Sequence, residues 1–209
     1  MSEYSFLDLA TSESVMAVQR EMGAAHLWAP GRNDRQFTAF TANEKAFIGE
    51  RDSFYMASAS ETGWPYIQYR GGPTGFLKVI DEVTLAFADF RGNRQYISVG
   101  NLDANDRLAL ILVDYPRRAR LKILAHGERL ALDAEPALSE QVIEPSYRGK
   151  PERIIRLRLA AFDWNCPQHI VPRFTEAEIS RAMQPLHEEL AALQSENQML
   201  RQRLEQIAG

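Results

Sequence analysis

The chain has 209 residues, of which 45% are hydrophobic and 25% charged, and a formal net charge of −4. This is an ordinary globular composition, sized for one domain of about 150 residues with an appendage or for two small domains. The charge gives no global pull toward nucleic acid or an anionic membrane, no apolar run approaches the roughly 20 residues of a bilayer span, and the single cysteine, Cys166, excludes an internal disulfide.

In chain order, Glu3, Asp8 and Glu13 interrupt the first twenty residues, which do not read as a signal peptide. With the cysteine count this gives an expectation of a cytoplasmic protein. Val15, Val18, Met22 and Ala25 share one face of a helix predicted over 11–26. GRNDRQ, after Pro30, reads as a polar loop. Thr41-Ala-Asn-Glu44 is a capping box that opens a second helix.

Seven β-like stretches follow: 53–60, 64–70, 75–80, 83–90, 108–114, 120–132 and 153–162. Several alternate with period two; Val83, Leu85 and Phe87 face one way, Thr84 and Ala86 the other. Glu61-Thr-Gly63 and Ile80-Asp-Glu82 are short enough for hairpins. The expectation is a mainly β fold, antiparallel, closed as a small barrel or sandwich, with a short helix at 136–145 before the last strand.

The tail differs. Thr175-Glu-Ala-Glu178 is another capping box, and Pro185 should kink or restart the helix. Beyond it, Leu186, Leu193, Leu200 and Ile207 occupy heptad position d, and Leu190, Asn197 and Leu204 occupy a. One Asn among apolar a positions favours a parallel two-stranded coil. Glu196 and Arg201 stand at g and the following e, where chains can pair. The preceding TEAEISRAMQP is not basic, so this is no DNA-binding zipper.

The chemistry is concentrated in three segments. In DFRGNRQYISVGN, Asp89 ends a strand, Asn93 is placed to cap a helix over 94–99, and Gly100 to stop it. A helix start with Arg91, Gly92, Arg94, Gln95 and Ser98 around it suits a phosphate, although a capped surface helix with solvated arginines has the same sequence. In QYRGGPTGFLK, Gln68, Tyr69 and Arg70 precede Gly71 and Gly72, which let backbone amides approach a flat ligand or simply make a turn. In FDWNCPQHIVPR, Trp164 and Gln168 can cover or hydrogen-bond a ring, or pack. Cys166-x-x-His169 has metal-like spacing but no second pair, so no metal site is expected. No Walker or Rossmann glycine motif is present, and no residues form a coherent catalytic set.

The order RDSFYMAS, GWPYIQYRGGPTGFLKV, ADFRGNRQYISVGNL, NDRLALILVDYPRRARLKI and WNCPQHI resembles the pyridoxamine 5'-phosphate oxidase-related flavin-nucleotide-binding proteins, over roughly Val15 to Arg173. The resemblance implies a six-stranded split β-barrel, a homodimer, and FMN in a groove between subunits. It divides the chain into a helical segment packed on the barrel (1–52), the FMN-binding barrel (53–173) and the C-terminal helix (175–209). In that family an arginine on the second strand and a small-Arg-Lys cluster after the fourth grip the flavin phosphate. Arg70 is similar to the first, and Asn93, Arg94 and Gln95 to the second. Gln95 stands where the true oxidase has lysine, a loss for which Arg91 can compensate. The oxidase's closing pyridoxal phosphate segment has no counterpart, so vitamin B6 oxidation is not implied.

The expected function is thus an FMN-binding oxidoreductase of unknown substrate, with the catalytic residues unassigned. The alternative is a non-catalytic flavin carrier or a redox sensor signalling through its coil. A third option, haem or a deazaflavin in the same barrel, has no residue arguing for it. Neither nucleic acid nor membrane is an expected partner.

Overall fold

A computed structural model describes residues 5–28, 39–164 and 168–208. The GRNDRQ loop, Asn165 and Cys166 lie outside them. The chain divides into two compact units, one of residues 1–114 and 118–169, the other of 115–117 and 170–209.

The first unit is built on one antiparallel sheet of seven strands: β1 (Ser53–Ala59), β2 (Pro65–Gly71), β3 (Lys78–Val79), β4 (Thr84–Phe90), β5 (Arg107–Asp114), β6 (Ala119–Leu130) and β7 (Pro151–Trp164). Their order is β2-β1-β5-β6-β7-β4-β3. Alternation decides the inward face: Phe54 and Met56 on β1, Leu108, Leu110 and Leu112 on β5, and Leu121 and Ile123 on β6 are all buried. The sheet curls onto itself. Phe54 on β1 meets Phe87 on β4 edge-on at 5.3 Å, although three strands separate them in the sheet order. This is the expected mainly β fold with peripheral helices. Strand β3 has only two residues, because the predicted 75–80 stretch is spent on a turn. Gly75 there has φ +76°, and Phe76 and Leu77 turn into the core.

β4 is buried on both faces. Helix α5 (Pro136–Val142) explains this, since its Leu138 and Val142 form a second apolar cluster with Ala86, Ala88 and Ile154. The register of β4 against β7 shifts between Asp89 and Phe90. Bulges of this kind re-aim side chains, often beside a site.

The N-terminal segment departs from the single helix predicted over 11–26. It forms α1 (Phe6–Ala10), α2 (Glu13–Glu21) and a 3-10 turn at Ala25–Leu27. Ser12 caps α2 through the Val15 N–H, and Gly23 turns the chain at φ +66°. The periodic face of α2 is not buried; Val18 is 56% exposed. Helix α3 (Ala42–Gly49) has the predicted capping box and contributes Phe47 and Ile48 to the core.

The helix expected over 94–99 lies further on. Helix α4 runs Ile97–Ala104 and contains Gly100 rather than stopping there. Asn93 does not cap it. Its Oδ1 instead accepts the Gln95 N–H at 3.1 Å, a local turn. Arg94 and Tyr96 take left-handed backbone, φ 64° and 54°, to bring the chain round.

The second unit carries α6 (Glu176–Ala208), opened by the predicted Thr175–Glu178 capping box. The helix continues through Pro185 and does not restart there. No helix among the described residues is long and apolar enough to cross a membrane.

Candidate functional site

Alternation on β2 sends Gln68 and Arg70 to the inner face and Tyr69 to the outer one. The bulge at the end of β4 presents Asp89. The β4–α4 loop adds Gly92, Asn93, Arg94 and Tyr96, α4 adds Ser98 and Val99, and β7 adds Glu152 and Arg153. Together they line a polar hollow of about 50 Å³.

A chain of ion pairs organises its floor. Asp89, 5% exposed, accepts from Arg70 Nη1 at 2.5 Å through one oxygen and from Arg153 Nη1 at 2.9 Å through the other. Arg153 Nη2 reaches Glu152 at 3.2 Å, and Glu152 accepts Arg91 Nε at 2.6 Å. The Arg153 guanidinium also stacks over the Tyr96 ring at 4.9 Å. The hydrogen bond from Arg91, chiefly, holds the Glu152 carboxyl below its ordinary pKa despite some desolvation. Ser98 donates to Gln68 at 3.0 Å, and Asn101 to Ser58 at 3.0 Å, so two side chains of α4 tie it to β1 and β2.

Two kinds of donor remain unspent. No hydrogen bond or ion pair engages the Arg94 guanidinium among the described residues, and Arg70 Nε is buried without an acceptor. The first turn of α4, whose Ser98 and Val99 line the hollow, has no side-chain cap. The lining counts three arginines against two carboxylates, a net positive hollow suited to an anion.

Of the residues marked in sequence, Gln68, Arg70, Asp89, Gly92, Asn93, Arg94 and Ser98 converge here. Others do not. Arg91 pairs with Glu152 and does not line the hollow. Gln95 folds back on Asn93, which donates to its Oε1 at 3.2 Å. The Gly72 N–H donates to Asp52 O at 2.9 Å, and a Cβ at Gly72 would stand 2.6 Å from the Phe76 ring. Gly72 is thus engaged by the turn and packed against the core. Gln168 is exposed and outside the lining.

Trp164 is likewise structural. Its Nε1 donates to Glu44 Oε1 at 2.7 Å and its ring meets Phe47 edge-on at 4.7 Å, so it bolts the end of β7 to α3. Burial raises the pKa of Glu44, but hydrogen bonds from the Thr41 hydroxyl, the Trp164 indole and the Thr41 amide outweigh it and hold the carboxyl low.

Phe90, Tyr96, Val99, Glu152 and Arg153 are the lining residues that sequence reasoning missed. The only signal was a register: Asp89 lies opposite Arg153 in the β4–β7 ladder, which requires knowing that these strands pair.

The pyridoxamine 5'-phosphate oxidase family matches residues 40–162, a span that holds nearly all of the sheet and every residue of the hollow. The chain belongs to the pyridoxamine 5'-phosphate oxidase family. Among solved structures, HupZ from Group A Streptococcus is similar at 15% identity, covering 65% of this chain and 99% of that one, with a TM-score of 0.50. A Clostridium acetobutylicum protein of the pyridoxinephosphate oxidase family, related to general stress protein 26, has 15% identity, coverage of 66% and 94%, and a TM-score of 0.43. An FMN-binding protein from Syntrophomonas wolfei has 12% identity, coverage of 58% and 83%, and a TM-score of 0.44. At such identity the likeness is one of fold. No curated protein sequence matches the chain.

Proposed function

We propose that this member of the pyridoxamine 5'-phosphate oxidase family binds FMN and uses it as a cytoplasmic oxidoreductase acting on a small molecule. The observation that carries the reading is the net positive hollow between β2, β4, α4 and β7, with Arg94, Arg70 Nε and the α4 amides unspent. These residues fit a phosphate: Arg94 supplies charge, the helix start supplies N–H donors, and Gly92 lets the group approach the backbone. Asp89 keeps Arg70 and Arg153 fixed, so the donors are in place before a ligand arrives. FMN, when bound, supplies hydride and electron transfer, and the protein orients it.

A hollow of about 50 Å³ takes a phosphate-sized group, whereas a whole ligand of this size fills a pocket of about 300 Å³ or more. The ring system therefore lies outside it, and a second subunit is the natural cover. β2 is an edge strand whose outer face exposes Ile67 (63%) and Tyr69 (57%) beside Tyr55 of β1. An apolar patch of this kind on a sheet marks a protein contact, here assigned to a second copy of the chain.

The deciding measurement is the absorption spectrum and mass of the small molecule that copurifies. A colourless protein that stays colourless after incubation with FMN would sink the reading. A second reading, a flavin-binding carrier or sensor without turnover, is favoured by the uncovered seam of α6, which gives a signal somewhere to go. Rapid reduction of the bound flavin by NAD(P)H and its reoxidation by an acceptor would count against it.

A further inference from the structure

Because α6 is unbroken through Pro185, the four-three apolar spacing that begins at Leu186 extends upstream to Met183 and Ile179. The seam from Ile179 to Ile207 then covers about four heptads. All its apolar members are between 40% and 82% exposed. Pro185 falls at position c, on the outside of such a seam, so its ring does not meet a partner.

We propose that α6 pairs with α6 of a second copy of this chain as a parallel, in-register, two-stranded coiled coil. Three features commit the seam to that occupant. Asn197 is the one polar residue among its a and d positions. Only in parallel register does it meet its own copy, where the two amides satisfy each other; any other alignment sets an amide against leucine, a buried polar group without a partner. Glu196 at g faces Arg201 at e of the partner helix, giving two symmetric ion pairs of opposite charge. An antiparallel pair centred on Leu193 would instead set Glu189 against Asn197 and Glu196 against Leu190. The seam is also narrow, flanked by Gln194, Ser195 and Gln202, which suits one partner helix rather than a broad surface.

Cysteine cross-linking of the full chain tests this, with Cys166→Ser removing the only native thiol. Paired d positions lie within the Cα separation a disulfide needs, about 4.4–6.8 Å. Under oxidised glutathione, Leu186→Cys and Leu200→Cys should each give a covalent homodimer, and Ser195→Cys, at the outer f position, none. Cross-links that form only when the Leu186→Cys and Leu200→Cys proteins are mixed mean an antiparallel pair and overturn the proposal. No cross-link in any combination means that the seam has another occupant, and overturns it too. Glu196→Arg should slow cross-linking through Leu200→Cys several-fold, and adding Arg201→Glu should restore it. An unchanged rate overturns the pairing of Glu196 with Arg201 across the parallel register. None of these readouts depends on flavin.

Discussion

Replacing Trp164 with phenylalanine separates a structural tryptophan from a ligand-covering one. The indole N–H donates at 2.7 Å to Glu44, which is 4% exposed. A phenyl ring keeps most of the edge contact with Phe47 but loses that donor, and a hydrogen bond to a charged group is worth about 1.5–3 kcal/mol. Taking about 2 kcal/mol, and about 2–4 °C per kcal/mol for a chain of this size, the melting temperature should fall by roughly 4–8 °C at neutral pH.

The pH dependence has a definite sign. The Glu44 carboxyl is depressed in the folded state, so its contribution is fully present above the ordinary glutamate value of about 4.3 and is lost as pH falls through the lower folded value. Trp164 is one cause of the depression. The gap between wild type and variant should therefore narrow as the medium is acidified through that window. Thermal melts across pH give the first readout, and FMN titration gives the second, which should not change. A variant of unchanged stability that has lost flavin binding would refute the reasoning.

Arg94→Ala removes an unspent cation from the rim of the hollow. It should weaken FMN binding about 10-fold to 100-fold, the equivalent of one charge-assisted bond, and leave the melting temperature within error by calorimetry. Asp89→Asn breaks a buried carboxylate shared by two arginines and should cost about 3–5 kcal/mol by denaturant unfolding. Added inorganic phosphate should raise its melting temperature more than that of wild type, since the freed arginines can then take the anion. Gly75→Ala forces a Cβ to 2.9 Å from Gly49 O at φ +76° and should cost about 1–2 kcal/mol or more, read as a lower midpoint in urea. Deleting residues 186–209 should leave a folded dimer by sedimentation, because the outer face of β1 and β2 remains. A stable monomer would move the main interface to α6.

What the sequence by itself determined follows from period and local chemistry. Two-residue alternation placed the long strands, since burial of one sheet face requires it. The capping boxes at Thr41 and Thr175 opened helices as read, because their hydrogen bonds span only three residues. Seven of the cavity residues were legible because two short, cation-bearing, glycine-containing segments carry them. Local reasoning failed where a competing bond, near or distant in the chain, took the group. Asn93 was available as a cap, yet its oxygen serves Gln95, and α4 begins three residues after the predicted start. Gly72, read as part of a ligand bend, gives its N–H to Asp52 and lies against Phe76. The periodic face around Val18 stayed exposed because no element among the described residues covers it.

Only the tertiary structure decided the electrostatics of the hollow. It set Asp89 between Arg70 and Arg153 and Glu152 beside Arg91, pairing two arginines that the sequence had offered to a ligand, Arg70 and Arg91, and leaving Arg94 unspent. It also assigned Trp164 to Glu44, a partner 120 positions away in the chain. Charge and hydrogen bonding act through space at a few ångströms, so residue type shows which bonds a side chain can make, and the fold determines which partner takes them.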